Sequence, residues 1–216
     1  MIELLDGLYA GKANPDNSGG GSAYKRKYGV TIDAILGDVD SDGKLVLPTT
    51  PHDVVLTGVK TVGSGGLRYK FYHAAINSVS APDLEELLTS FSCESAFYAA
   101  GVKSISFPKL KTIKYSSVMH WMFRECDLTT AEFPVLEEIS GDQCMAGLFY
   151  NNTNLTTVSF PALSNVGSVV TQFKDMLKNC SDVTVHFPAA METTMQAWDD
   201  VVAGFGGTNT TVLFDL

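Results

Sequence analysis

Five prolines, Pro82, Pro108, Pro134, Pro161 and Pro188, recur at intervals of 26, 26, 27 and 27 residues. The first four each close the same short phrase, with apolar residues one, three and six places before the proline, and Pro188 keeps its last part as Val185-His-Phe187. The phrases run Ile76-x-x-Val79-x-Ala81-Pro82, then Val102-x-x-Ile105-x-Phe107-Pro108 and Leu128-x-x-Ala131-x-Phe133-Pro134, and then Leu155-x-x-Val158-x-Phe160-Pro161. A period of this length makes each copy one supersecondary unit that cannot bury its own apolar face and must stack on the next. The interval therefore constrains the fold more tightly than composition does.

Further slots keep the same phase. Two residues after each of the first four prolines stands Leu84, Leu110, Leu136 or Leu163; five after stands Leu87, Ile113, Ile139 or Val166. Fifteen after stands Phe97, Phe123, Phe149 or Met176, a late, large side chain that fills the coil. Eight before the prolines stand Ala74, Ala100, Cys126, Thr153 and Cys180, a slot for small residues. The apolar phrase reads as a short strand with alternating inward residues. Proline ends it, because it has no ladder donor and fixes its own backbone angle. The second apolar run forms the return side. This pattern predicts a β-rich leucine-rich-repeat solenoid with short helical turns, made of about six right-handed coils of 25–27 residues.

The period divides the chain into a head (residues 1–52), a repeat array (53–190) and a C-terminal cap (191–216). Leu56-Thr-Gly-Val59-Lys-Thr-Val62 is a first, degenerate copy, with Thr57 in the proline slot and Tyr72 on the late aromatic. In the cap, Met191, Met195 and Trp198 suit an amphipathic helix, Gly204 to Gly207 breaks it, and Thr211 to Leu216 can add a strand. In the head, Ile2, Leu4, Leu5, Leu8 and Tyr9 precede a Gly- and Ser-rich linker over residues 13–22. Residues 1–12 are thus tethered. They read as a frayed terminus or as a docking peptide that serves self-association or attachment to a partner.

A net charge of −9 excludes general nucleic-acid binding, and the basic run Lys25, Arg26 and Lys27 is too short to offset it. No stretch has the length of a membrane span, and the first residues lack the positive start of a secretory signal. Cys126 and Cys180 share a slot two coils apart, about 10 Å at a coil spacing of ~5 Å, which exceeds disulfide reach. Cys93 and Cys144 also lie two repeats apart. All four read as small core thiols.

Asp38, Asp40 and Asp42, followed by Gly43, open like a calcium loop. The position of the closing bidentate Glu is Thr49, after Pro48, so an Asp-Gly hairpin turn between two strands outweighs a weak calcium site. No other cofactor is implied. The chain shows no nucleophile elbow, phosphate-binding glycine loop or His-Glu-x-x-His motif, so the expectation is a non-enzyme. His73 and His186 stand apart from any metal-competent partner.

Leu155-Thr-Thr-Val158-Ser-Phe160-Pro161-Ala-Leu163-Ser-Asn-Val166 and Phe123-Arg-Glu-Cys126-Asp-Leu128-Thr resemble the BspA-type (Treponema-type) leucine-rich repeat. The resemblance covers about residues 53 to 190. Residues 28–33 and 36–40 are similar to the leader of related proteins from gut bacteria and their prophages. The family implies surface-exposed or secreted adhesion and recognition proteins without catalytic residues. This chain departs from it in showing no signal peptide and no anchor. A virion or prophage component is therefore the alternative location, and a cytoplasmic one stays open.

Two outward surfaces compete for recognition. Ser78, Ser104, Thr130, Thr157 and Thr184 lie four before each proline, and Ser80, Ser106, Glu132, Ser159 and His186 lie two before. Such a hydroxyl ladder reads first as structural, because small and β-branched residues pack along a sheet face. The turn over residues 114–125 holds Tyr115, His120, Trp121 and Arg124, residue types that dominate binding hot spots when exposed. The competing reading places Trp121 and Met122 inside the coil beside Phe123. The expectation is non-catalytic recognition of a protein or glycan on a host or cell surface. The alternative is a structural part of a phage or prophage particle attached through the N-terminal segment.

Overall fold

The phrase before each proline, and before Thr57 in the first coil, forms a strand. These are β1 (His52–Val55), β3 (Ile76–Ser80), β5 (Ser104–Ser106), β7 (Thr130–Glu132), β9 (Thr157–Ser159) and β11 (Thr184–Phe187). After the proline a two-residue strand makes the second side: β2 (Thr61–Val62), β4 (Glu86–Leu87), β6 (Thr112–Ile113), β8 (Glu138–Ile139) and β10 (Asn165–Val166). A last strand, β12 (Thr211–Phe214), pairs parallel with β11. The computed structural model describes residues 49–63, 66–167, 170–196 and 201–216. Over them the chain is a β-rich solenoid of about six turns with few helices.

Like strands stack in parallel with like slots opposed: Ser78 faces Ser104 and Val79 faces Ile105. Thr130, Thr157 and Thr184 follow one another in the same way. The second side is one five-stranded sheet, β10-β8-β6-β4-β2. The first side is two ladders, β1-β3-β5 and β12-β11-β9-β7. Between them run an Asp127 N–H bond to the Val102 carbonyl at 2.9 Å and the stacked rings of Phe107 and Phe133 at 6.1 Å.

The third side is neither strand nor α-helix. Along residues 91–100 the amides alternate in purpose. Those of Glu94, Ala96, Tyr98 and Ala100 donate to the carbonyl three residues back. Those of Cys93, Ser95, Phe97 and Ala99 donate to Val118, His120, Met122 and Arg124 of the next coil at 2.8–2.9 Å. Every fourth residue is left-handed, with φ of 61°, 50° and 51° at Phe91, Ser95 and Ala99. A left-handed non-glycine residue costs ~1–2 kcal/mol. The amide ladder to the next coil is what holds it there, since each bond exists only in this conformation.

Inside, two columns of phenylalanine run along the solenoid. Phe71, Phe97, Phe123 and Phe149 stack at 4.9, 5.4 and 6.5 Å. Phe107, Phe133, Phe160, Phe187 and Phe214 stack at 6.1, 5.4, 5.3 and 5.9 Å. Each ring beyond the first gains about 0.5–1.5 kcal/mol from its neighbour in addition to burial.

Three slot assignments shift by one residue. The first coil is filled by Phe71, while Tyr72 points outward, because the Phe71 amide bonds Ala96 and so aligns Phe71 with Phe97. In the fifth coil the Phe149 amide bonds Met176, which aligns Leu177 with Phe149; Met176 and Leu177 are both buried. The small slot of the fourth coil is Asn152, and Thr153 is exposed. In the third, fourth and fifth coils that slot holds a side-chain donor. Cys126 Sγ donates to the Phe97 carbonyl at 3.2 Å and Cys180 Sγ to that of Phe149 at 3.2 Å. Asn152 Nδ2 donates to Phe123 at 2.7 Å and Phe149 at 3.0 Å, and its Oδ1 accepts from the Leu128 amide at 3.2 Å. All four cysteines are free and buried. Burial pushes the thiols of Cys126 and Cys180 up to about 11 and those of Cys93 and Cys144 up to about 12.

At the C-terminal end, α1 (Glu192–Gln196) buries Met195 beside Met191, and α2 (Val201–Phe205) inserts Phe205 against Phe173 at 5.6 Å. Gly206, at φ 73°, turns the chain out of α2 toward β12. Trp198 lies outside the described residues.

Candidate functional site

The solenoid presents three outer surfaces of different chemistry. The first sheet shows the hydroxyl rows, interrupted by Glu132 and His186. Ser78 Oγ donates to Asp53 at 2.7 Å, so part of that ladder is occupied by its own neighbours. Beside the second sheet, Lys60, Glu85, Lys111 and Glu137 follow one another through amide bonds of 2.8–3.1 Å, alternating in charge along the axis. These are self-complementary rows.

The turn side differs. Its amide register aligns residues about 26 apart into one row, Tyr72, Tyr98, Arg124, Tyr150 and Lys178. Tyr72 and Tyr98 stack at 4.8 Å and 8°. The Arg124 guanidinium lies between rings, 5.1 Å from Tyr98 and 4.3 Å from Tyr150. Arg124 Nε also donates to Glu125 Oε1 at 3.2 Å, and the Tyr98 hydroxyl donates to the same oxygen at 3.1 Å. Burial, followed by that bond to Glu125, raises the Tyr98 phenol.

Beside this row runs the left-handed one: Tyr69, Ser95, Trp121, Gly147 and Asp175. Trp121, at φ 54°, is 36% exposed, while Met122 is buried with Phe123. The indole therefore lies outside the coil. Its Cδ1–Nε1 edge rests on Gly147, where a Cβ would come within 2.3 Å of Cδ1 and 2.5 Å of Nε1. Glycine at 147 serves twice, giving a φ of 58° without strain and a seat for the ring.

No known protein family, curated protein or solved structure matches this chain.

Of the four recognition residues expected from the turn, three come together. His120 and Trp121 are 4.3 Å apart, and the Arg124 guanidinium is 5.1 Å from the Trp121 ring. Tyr115 does not join them. It is 44% exposed, next to the corner that follows β6, and no ring contact links it to the other three. His120 is held below its usual value by burial and then by Arg124. Glu94 stands 3.9 Å from His120 Nδ1, but its other oxygen is 2.5 Å from Arg68 Nε, so its charge is already matched.

Sequence reasoning missed half of this surface. Tyr69 and Phe91 are exposed around the Arg68 guanidinium, which lies 5.1 Å from Tyr69 and 5.2 Å from Phe91, and Tyr72 is exposed with its ring 6.1 Å from that of Tyr69. Adding 26 to Tyr72 reaches Tyr98, Arg124 and Tyr150 in turn, and adding 26 to Trp121 reaches Gly147. That signal was available on the exposed slots as well as the apolar ones. A shallow cleft of about 360 Å³ opens at the corner toward the first sheet, lined by His73, Asn77, Gly101, Lys103 and Asp127 among others. His73 joins it to the aromatic surface, its ring 4.3 Å from Tyr72 and 5.7 Å from Tyr98.

Asp38, Asp40 and Asp42, with the calcium loop assigned to them, lie outside the described residues. So do residues 1–12, to which self-association and attachment were assigned. Among the described residues no helix is long and apolar enough to cross a membrane.

Proposed function

We propose that this chain is a non-catalytic recognition module that binds a protein or glycan surface through its turn side. The observation that carries the reading is the gathering of Tyr69, Tyr72, Phe91 and Trp121, all exposed, on one face of the first coils. Tyr, Trp and Arg are the residue types that dominate binding hot spots, and large apolar side chains left in water on one face call for a partner. The two sheet faces offer hydroxyls and alternating charges, whose partners lie largely within their own rows.

The repeat period and its apolar slots also support membership of the leucine-rich repeat class, of the BspA type, with a place at a cell or virion surface. Repeat arrays of this kind present extended surfaces.

The reading is tested by exposing labelled protein to an array with two arms, purified polysaccharides and purified extracellular-matrix proteins. The wild type is compared with a variant carrying Tyr72→Ser, Phe91→Ser and Trp121→Ser. Binding on at least one arm, lost in the triple variant at unchanged melting temperature, is the expected result. Binding that the triple variant retains would move the surface elsewhere on the solenoid.

A further inference from the structure

We propose that the partner of the turn side is a neutral glycan, held between the aromatic surface around Trp121 and the shallow cleft beside His73. The proposal rests on the recognition reading above and names its ligand class.

Charge argues first. Both guanidiniums of the surface are spoken for. Arg68 is matched by Glu94 at 2.5 Å and Arg124 by Glu125 at 3.2 Å, and each also lies against aromatic rings. An anionic ligand such as a sulfated or phosphorylated polymer needs free, clustered cations; these two are bound in place by neighbouring carboxylates, and Lys103, in the cleft, shares its lining with Asp127. His120 adds no charge near neutrality, since burial and Arg124 hold it in its neutral form.

Shape and chemistry argue next. A sugar ring has one face of C–H groups and a rim of hydroxyls, so its binding site needs apolar aromatic surface beside hydrogen-bonding groups. The C–H face is drawn to the electron-rich face of an aromatic ring. Here Trp121, Tyr72 and Phe91 are exposed and held by packing: the indole against Gly147, Tyr72 against Tyr98, and Phe91 under Arg68. Rings already fixed in place lose little freedom on binding. The cleft that continues from Tyr72 through His73 supplies Asn77, Lys103 and Asp127, donors and acceptors for hydroxyls. A protein partner of comparable affinity would need an apolar anchor in a desolvated pocket. This cleft is open and shallow, and its lining sets Ala74 and Ala99 beside Asn77, Lys103 and Asp127, a mixture that matches the C–H face and hydroxyl rim of a sugar better than a deep apolar anchor.

The test uses the full chain with Trp198→Phe, so that Trp121 alone reports, since the sequence has two tryptophans. Native gels are cast with a mixed-linkage β-glucan, a galactomannan, a xylan or heparin, and Trp121 fluorescence is titrated with the same polymers. At least one neutral polysaccharide should retard migration and shift the emission, with an affinity that salt hardly changes. Tyr72→Ala and Asp127→Asn should each weaken binding about tenfold at unchanged melting temperature. Trp121→Ala should abolish the retardation. Binding to heparin alone, falling steeply with salt, would overturn the proposal, as would retardation that survives Trp121→Ala. If the neutral polymers all fail while matrix proteins still bind through the same residues, the glycan assignment falls and the recognition reading stands. If neither arm of the array binds, both fall.

Discussion

The outward rows of the first sheet and those of the turn side obey the same period and end in opposite chemistry. On the sheet, one slot holds Asp53 in the first coil and then reads Ser78, Ser104, Thr130, Thr157, Thr184 and Thr211, a hydroxyl residue on every later strand. On the turn side, one row reads Tyr72, Tyr98, Arg124, Tyr150 and Lys178. Strand pairing sets side chains in close parallel files, so a small hydroxyl residue, Ser or Thr, fits coil after coil. In the chain of turns, left-handed residues send side chains across to the next coil, and large groups fit wherever the neighbour is small, as at Gly147. A uniform row answers to the backbone, whereas a varied one leaves room for a ligand.

Beneath these unlike exteriors the interiors should be alike. Phe123 belongs to the turn-side column and Phe133 to the sheet-side column, and both are fully buried between stacked rings. Phe123→Ala and Phe133→Ala should each cost about 3–5 kcal/mol in urea unfolding. A much smaller loss at Phe123 alone would show that the turn side is loosely attached, and would break the comparison at its root. Next in size is Asn152→Ala. It orphans the Leu128 amide and the Phe123 carbonyl inside the coil, for an expected loss of about 2–4 kcal/mol. Cys126→Ala, which removes one weak thiol donor, should cost less, about 1 kcal/mol.

These residues also show what the sequence could reveal. The prolines and apolar slots carried the coil count and both strand sides, because strand termination and burial are strong, local requirements. The alignment failed by one residue at Tyr72, Met176 and Thr153, where a coil gains or loses a residue in the turns. There the amide ladder, invisible in side-chain type, sets the register. Trp121 posed the same difficulty, being as plausible beside Phe123 in the core as outside it. What decides it is a left-handed backbone and a glycine one coil away, two facts that a single repeat does not contain.

That pairing can be measured. Trp121→Ala alone should change stability by less than about 0.5 kcal/mol, since the ring is partly exposed and its removal leaves no buried gap. Gly147→Ala should cost about 2 kcal/mol, from left-handed strain together with the collision against the indole. In the Trp121→Ala background only the strain remains, so the penalty should fall by roughly half, a coupling that a double-mutant cycle reads directly. Additive penalties would show that the indole does not sit on Gly147. On the sheet face, by contrast, Ser104→Ala should stay within about 0.5 kcal/mol and leave ligand binding unchanged.

The smallest effect is a pH slope confined to the turn side. His120 is held below its usual value, first by burial and then by Arg124, so its folded pKa lies under its unfolded one. The unfolded chain then binds the proton more readily, and stability rises with pH across the interval between the two values. The contribution of neutral His120 is therefore complete above about pH 6.5, the unfolded value, and is lost as pH falls toward the folded one. Glu94 at 3.9 Å would oppose this if its charge were available, but Arg68 already holds it. His120→Gln should flatten the decline in melting temperature between about pH 7 and pH 5 relative to the wild type. Arg68→Gln should flatten it as well, by releasing the Glu94 carboxylate toward the imidazolium. An unchanged decline in Arg68→Gln would mean that Arg68 does not hold Glu94 away from His120, and the Arg68 guanidinium would then be available to an anionic ligand.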